Sequence, residues 1–286
     1  MSESDLNIYL VRHGQTEGNV DHTLYTIKAD HSIRLTSTGI EQAKEAGAFL
    51  ADFLSHKRAR DPENFGKIRV WHSPYYRARE TAAHILYPLG KKFDHDPASG
   101  TLTYRQDPFL FEQKAGLFDG LSDEEYEKAY PDLARDYEKH ARYNGRVYAK
   151  TPNGESRIDI VIRVKHFFGT IIDDFRKHNI RHAVVINHGV TVRAMIMGWM
   201  RYEPEWLEAE MNPGNCWVRH IHGNRSAGYK DEGYIYGEEA PLRDLMATQR
   251  QLNQPEDIYM LKPQRPNAIV PLGIKAVDPF AEEAQP

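Results

Sequence analysis

At 286 residues, with 40% hydrophobic and 27% charged positions, the chain has an ordinary globular composition and suits one large or two small domains. A net charge of −4 speaks against a nucleic-acid-binding surface, which is normally basic. A small anion is still admissible, because it responds only to the local field of its pocket.

Cys216 is the only cysteine, so no internal disulfide can form and a reducing compartment fits. Met1 is followed by Ser2, Glu3, Ser4 and Asp5, the wrong charge for the start of a signal peptide. The most apolar short run, residues 194–200, is too short to span a bilayer. A soluble, cytoplasmic protein with no membrane partner is expected.

In chain order, residues 6–11 read as a buried strand. From Thr38, the residues Ile40, Ala43, Gly47, Leu50 and Leu54 recur at helical spacing, with Thr38 and Glu41 as a capping box. Residues 68–71 read as a second strand. A helix follows through Arg77, Thr81 and Ile85 to Leu89, with Pro74 in its first turn. Residues 91–150 interrupt the pattern: they are rich in Tyr, Asp, Glu and Lys, and a polar helical stretch over 122–143 breaks near Pro131. This segment reads either as a lid over the sheet edge or as a solvated charged helix.

Residues 156–175 predict a long helix with Ile158, Val161, Ile162, Phe168, Ile171 and Phe175 on its apolar side, capped by Ser156 with Asp159. A third strand at 183–186 and a helix over 191–200 follow. Strands alternating with helices indicate an α/β fold, a largely parallel sheet covered on both faces. Beyond Gly223 only a short hairpin over 228–236 is suggested, and the last forty or so residues are Pro-rich and irregular. The division expected is one domain over 1–222, carrying the 91–150 insertion, and an extension over 223–286. That extension packs on the domain or at the interface of a homodimer.

In open parallel sheets, ligands gather outside the carboxyl ends of the strands. Three predicted strands end there in polar residues: Arg12-His13-Gly14, His72-Ser73-Pro74 with Arg77 one turn on, and Asn187-His188-Gly189. If the strands are parallel neighbours, two imidazoles and two guanidiniums meet. Arg suits a phosphate because its planar fork donates two aligned hydrogen bonds. The glycine after each His would let the backbone approach a ligand, and Thr16 and Asn19 would add neutral donors. A lone Arg-His-Gly triplet is often only a turn; the repeated pattern is harder to explain that way. His220-x-His222 resembles a metal pair, but alternate positions on an exposed strand face explain it more simply. Tyr75, Tyr76, Tyr126 and Tyr130 suit either a pocket lining or packing.

The segments LVRHGQTEGN, SPYYRARETA, FEQKAGLFDG and VVINHG resemble the signature regions of the histidine phosphatase superfamily, also called phosphoglycerate-mutase-like proteins. The stretch GNVDHTLYTIKADHSIRLTSTGIEQA, with PNGES later, is similar to a plant and fungal subgroup of phosphatases within it. The resemblance implies a three-layer α/β/α sandwich around a mostly parallel six-stranded sheet. It makes His13 the nucleophile that becomes phosphohistidine, and Arg12, Arg77 and His188 the ligands of the phosphoryl oxygens. Asn19 matches a further loop donor, and Glu112 the proton donor, on the spacing Glu112-x-x-x-Gly116-x-x-x-Gly120.

Such chemistry needs His13 as neutral imidazole, with its second nitrogen held in one tautomer. Arg12, Arg77 and, if protonated, His188 would stabilise charge on the oxygens in flight. A carboxyl beside a dianionic phosphate keeps its proton more readily, which suits Glu112 to the leaving group. No metal or cofactor is called for, since the cations are side chains. The substrate is expected to be a small phosphorylated metabolite. Two alternatives stand: mutase-type phosphoryl transfer, and a phosphate-binding scaffold without turnover. Phosphoglycerate mutases usually carry an Arg after the acidic residue, where this chain has Gln113 and then Lys114. Gln cannot fork onto a carboxylate, which favours the phosphatase. Acidic residues such as Asp119, Asp123 and Glu124 would disfavour highly anionic substrates if they faced the pocket.

Overall fold

The computed structural model describes residues 5–94 and 100–237. The expected extension therefore lies largely outside the described residues. In chain order the elements are β1 (Leu6–Arg12), the one-turn helices α1 (Glu17–Val20) and α2 (Leu24–Ile27), α3 (Ser37–Arg60), β2 (Lys67–His72), α4 (Tyr76–Lys92) and β3 (Leu102–Gln106). Then follow α5 (Asp123–Ala129), α6 (Pro131–Asn144), α7 (Arg157–His178), β4 (Ile180–Asn187), α8 (Gly189–Met200), α9 (Pro204–Ala209), β5 (Val218–Asn224) and β6 (Gly228–Tyr236).

The six strands form one sheet in the order β3-β2-β4-β1-β5-β6. The pairs β3/β2, β2/β4 and β4/β1 are parallel; β1/β5 and β5/β6 are antiparallel. The sheet is thus mostly parallel, as expected, and its three central parallel strands are the three read from the sequence. Alternation along a strand divides the core. Ile8, Leu10 and Val185 pack with Val164, Phe167 and Ile171 of α7 and Met195 of α8 on one face. Tyr9, Val11, Val70 and Val184 pack with Leu50 and Leu54 of α3 and Ile85 and Leu89 of α4 on the other. Two helical layers therefore sandwich the sheet.

Several local expectations need correction. The N-cap of α3 is Thr36, not Thr38: its side chain accepts from the Gly39 N–H. Contacts of Thr36 with Gln15 (N–H to carbonyl, 3.0 Å; hydroxyl to side-chain oxygen, 2.9 Å) set that start. Pro74 precedes the N-cap Tyr75 instead of lying in the first turn of α4. Ile162 is 54% exposed, outside the apolar side of α7.

Strand β3 was missed because it is an edge strand with one fully buried residue, Leu102. The antiparallel pair β5 and β6 extends the sheet past β1; residues 228–236, expected as a hairpin of their own, form the single strand β6 and pair with β5. His220 and His222 do share one face of β5, but His220 is buried, stacked on Tyr9 at 4.7 Å and bonded to Asn7 Oδ1 at 3.1 Å. The break near Pro131 and the Ser156/Asp159 capping box are present as read. Among the described residues, no helix is long and apolar enough to cross a membrane.

Candidate active site

Parallel register delivers three strand ends to one place. Arg12 pairs with Asn187 across β1 and β4, and His72 with Ile186 across β2 and β4. The ladder continues one step, with His13 N–H on Asn187 O (2.9 Å) and Ser73 N–H on Ile186 O (3.0 Å). His13, Ser73 and His188 therefore leave the sheet together. The imidazoles of His13 and His188 are neighbours, with ring centroids 5.2 Å apart.

His13 is buried, and its Nδ1 lies 2.8 Å from the Gly14 carbonyl oxygen. A carbonyl only accepts, so Nδ1 carries the hydrogen and Nε2 keeps its lone pair. Burial, and then the positive charges of Arg77 and Arg12, hold this imidazole well below its usual pKa. His188 is fully buried. Its Nδ1 accepts from Arg77 Nε–H at 3.2 Å, which leaves Nε2–H to donate to Ser73 Oγ at 2.8 Å. Burial, with Arg77 and His13 beside it, lowers its pKa too. Both rings are neutral in the ligand-free site, so the protonated His188 imagined from sequence needs a bound anion to restore its charge.

Arg77 reaches the site from the first turn of α4, and its guanidinium also binds the carbonyl and carboxylate of Asp30. Arg12 Nη1 donates to Pro213 O at 2.7 Å, while its Nε is buried without a partner among the described residues. The segment before β5 supports this corner: Asn215 Nδ2 donates to His13 O at 2.9 Å and Cys216 N–H to Arg12 O at 3.0 Å. Cys216 is buried in a left-handed conformation, φ 58°. Asn19 closes a capping box with Thr16, so its Oδ1 is committed to the Thr16 N–H and only its Nδ2 is available as a donor.

Glu112 lies on a loop. Its Oε1 accepts from Gln113 N–H at 2.9 Å and lies 3.2 Å from the buried hydroxyl of Thr191, in the first turn of α8. Its negative charge reaches Arg12 and Tyr75. Arg163 of α7 clamps that loop: it donates to the carbonyls of Phe109 and Phe111 and pairs with Glu155 at 2.9 Å. All six residues singled out from sequence thus sit at the carboxyl edge of the sheet. Sequence reasoning missed Asp30, Thr191, Arg163 and Asn215 as members of the site; the only signal was that Asp30 lies in the subgroup-like stretch.

Two other expectations change. The glycines that follow the histidines admit protein, not ligand. A Cβ on Gly14 would sit 2.4 Å from the backbone oxygen of Gly39, and one on Gly189 2.9 Å from Asn212 Oδ1. Of the tyrosines, only Tyr75 joins the site, 5.1 Å from the His188 ring, its phenol pushed up to about 12 chiefly by burial. Tyr126 and Tyr130 pack on Phe118 in the insertion, and Tyr76 lies under Arg34 and Arg79.

The profile of the histidine phosphatase superfamily (branch 1) matches residues 8–228. The chain belongs to that superfamily. It is 33% identical over 229 residues to the phosphoglycerate mutase-like protein AT74 of Arabidopsis thaliana, a match covering 78% of this chain and 66% of that one. The chain thus spans just under two thirds of that relative. It is 25% identical to the Broad-range acid phosphatase DET1 of Saccharomyces cerevisiae, over 73% of this chain and 82% of that one. A 2,3-bisphosphoglycerate-dependent phosphoglycerate mutase of Afipia carboxidovorans is 29% identical, over 71% and 84%. Among solved structures, a mycobacterial glucosyl-3-phosphoglycerate phosphatase superposes with TM-score 0.57 at 20% identity, covering 82% of this chain and all of that one. At that identity the likeness concerns the fold alone.

Proposed function

We propose that the protein is a metal-independent phosphomonoesterase that works through a phosphohistidine on His13. The observation that carries this is the state of His13: a buried, neutral ring, tautomer set by the Gly14 carbonyl, with Nε2 unprotonated beside Arg12, Arg77 and His188. Such a ring is ready to attack phosphorus without first losing a proton. Because its pKa is depressed, it keeps that lone pair into mildly acid solution.

In the first step Nε2 of His13 bonds to phosphorus as the ester oxygen departs and takes the proton of Glu112. Arg12, Arg77 and His188 hold the phosphoryl oxygens, and Asn19 adds its Nδ2–H. In the second step water attacks the phosphohistidine and gives a proton to the Glu112 carboxylate, releasing inorganic phosphate and free His13. General acid help of this kind is typically worth about 10²–10⁴ in rate.

Relatives carry both phosphatase and mutase names, so the names alone do not choose. Gln113 favours hydrolysis: its amide donates to the Glu155 carbonyl at 2.8 Å, and the Lys114 ammonium rests over the Phe111 ring at 5.0 Å. Neither is placed to grip a substrate carboxylate.

The purified protein should release phosphate from an aryl phosphate with chelator present, and His13→Ala should abolish both release and acid-labile ³²P labelling. Release that survives the substitution would overturn the mechanism. Labelling with isomerisation but no net release would indicate a mutase, and binding of phosphate without either would indicate a scaffold.

A further inference from the structure

Arg77 already has a carboxylate on it. A guanidinium offers five N–H donors. The Arg77 Nε–H goes to His188, the Nη1 hydrogens go to Asp30 O (2.6 Å) and Oδ1 (2.8 Å), and one Nη2 hydrogen faces Asp30 Oδ2 (3.4 Å). One N–H is left without a partner among the described residues. Two parallel N–H bonds are what an Arg gives a phosphate, so Arg77 cannot give them while Asp30 is in place. Exposure shows which partner yields: the Arg77 side chain is 3% exposed, that of Asp30 37%. Asp30 sits on a single 3₁₀ turn, Asp30–Ser32, whereas Arg77 is anchored in α4.

We propose that Asp30 is a specificity-determining residue, an internal anion that holds Arg77 in the empty site and exchanges with the phosphoryl group of the substrate. This rests on reading Arg77 as a phosphoryl-oxygen donor. A ligand that must displace an internal competitor shows an affinity reduced by the fraction of molecules in the competent state. After exchange the Asp30 carboxylate stays beside Tyr75, whose phenol also feels the negative charge of Asp119, while Glu112 holds its proton for the leaving group. The leaving group then meets a negative field. The substrate class that fits is a monophosphate ester with an uncharged or cationic leaving group; a second phosphate is disfavoured.

Inorganic phosphate titrated calorimetrically into the full-length protein tests this directly, with Asp30→Asn, Asp30→Glu and Arg77→Ala compared. Asp30→Asn should tighten phosphate about two- to fivefold, the worth of one partly exposed charge pair, and lower KM for phenyl phosphate in parallel. Its gain in kcat/KM should be larger for a sugar bisphosphate than for phenyl phosphate. Asp30→Glu, which keeps the charge, should bind phosphate as the parent does, and Arg77→Ala should erase the effect of Asp30→Asn. Unchanged or weaker phosphate binding in Asp30→Asn, with a native circular dichroism spectrum, would overturn the exchange. An equal or smaller gain for the bisphosphate would overturn the substrate class. Should the parent protein neither turn over nor label, while Asp30→Asn still tightens phosphate, the hydrolytic reading fails and the exchange stands.

Discussion

Thr191 has one hydroxyl proton and two acceptors within reach, the Phe111 carbonyl at 2.9 Å and Glu112 Oε1 at 3.2 Å. It ties the proposed proton donor to the helix that begins just after His188. Replacing it by valine keeps the shape, and the Phe111 carbonyl keeps its bond from Arg163. Thr191→Val should therefore lower kcat about tenfold or more, the worth of a hydrogen bond to a charged group, with little change in melting temperature. Thr191→Ser should recover most of it; equal kcat in the valine variant would remove Thr191 from the mechanism. Residues such as His13 and Arg12 were legible because they stand in a short motif at a strand end. Thr191 and Asp30 were not, because each matters only through a partner brought close by the fold, 79 residues away for Thr191 and Glu112 and 47 for Asp30 and Arg77.

At the scale of elements, α7 does more than cover the sheet. Its Arg163 side chain is 9% exposed and its Glu155 partner 17%, and together they fix the loop from Phe109 to Glu112. Arg163→Met would leave a largely buried carboxylate and two carbonyls without that donor. Breaking such a pair typically costs about 3–5 kcal/mol, so thermal melting should show a large drop, with kcat falling further than in Arg163→Met/Glu155→Gln. Apolar periodicity revealed α7 and the three central strands, because those elements are buried along a continuous face. It failed for β3, whose exposed edge permits Tyr104, Arg105 and Gln106, and for the start of α3, which a contact with Gln15 decides. The approach of Gly14 to Gly39 has the same origin: two short residues let the loop after β1 rest on a helix start.

Across the whole molecule, a second group of histidines lies far from the strand ends, between the sheet and α3. His182 bonds to the Tyr9 hydroxyl at 3.2 Å and His220 stacks on the Tyr9 ring. Burial above all, then Lys57, pushes both down to about 3. A folded-state pKa below the unfolded value of about 6.5 means that the unfolded chain binds more protons between the two values. Stability should be complete above pH 6.5 and fall as the pH drops towards 3, by up to about 1.4 kcal/mol per pH unit for each histidine. Urea titrations at several pH values would show that slope, and His220→Gln should lower it by one histidine's share, the depressed rings of His182, His13 and His188 supplying the rest; an unaltered slope would exclude His220 as a cause.

Cys216, packed against the backbone of Arg12 with its thiol pushed up to about 12 by burial, has no reagent-accessible state in the closed molecule. The rate at which a disulfide reagent colours a solution of this protein is therefore a clock for how often the segment before β5 parts from Ala43 and Ala46 of α3, and it needs no engineered label.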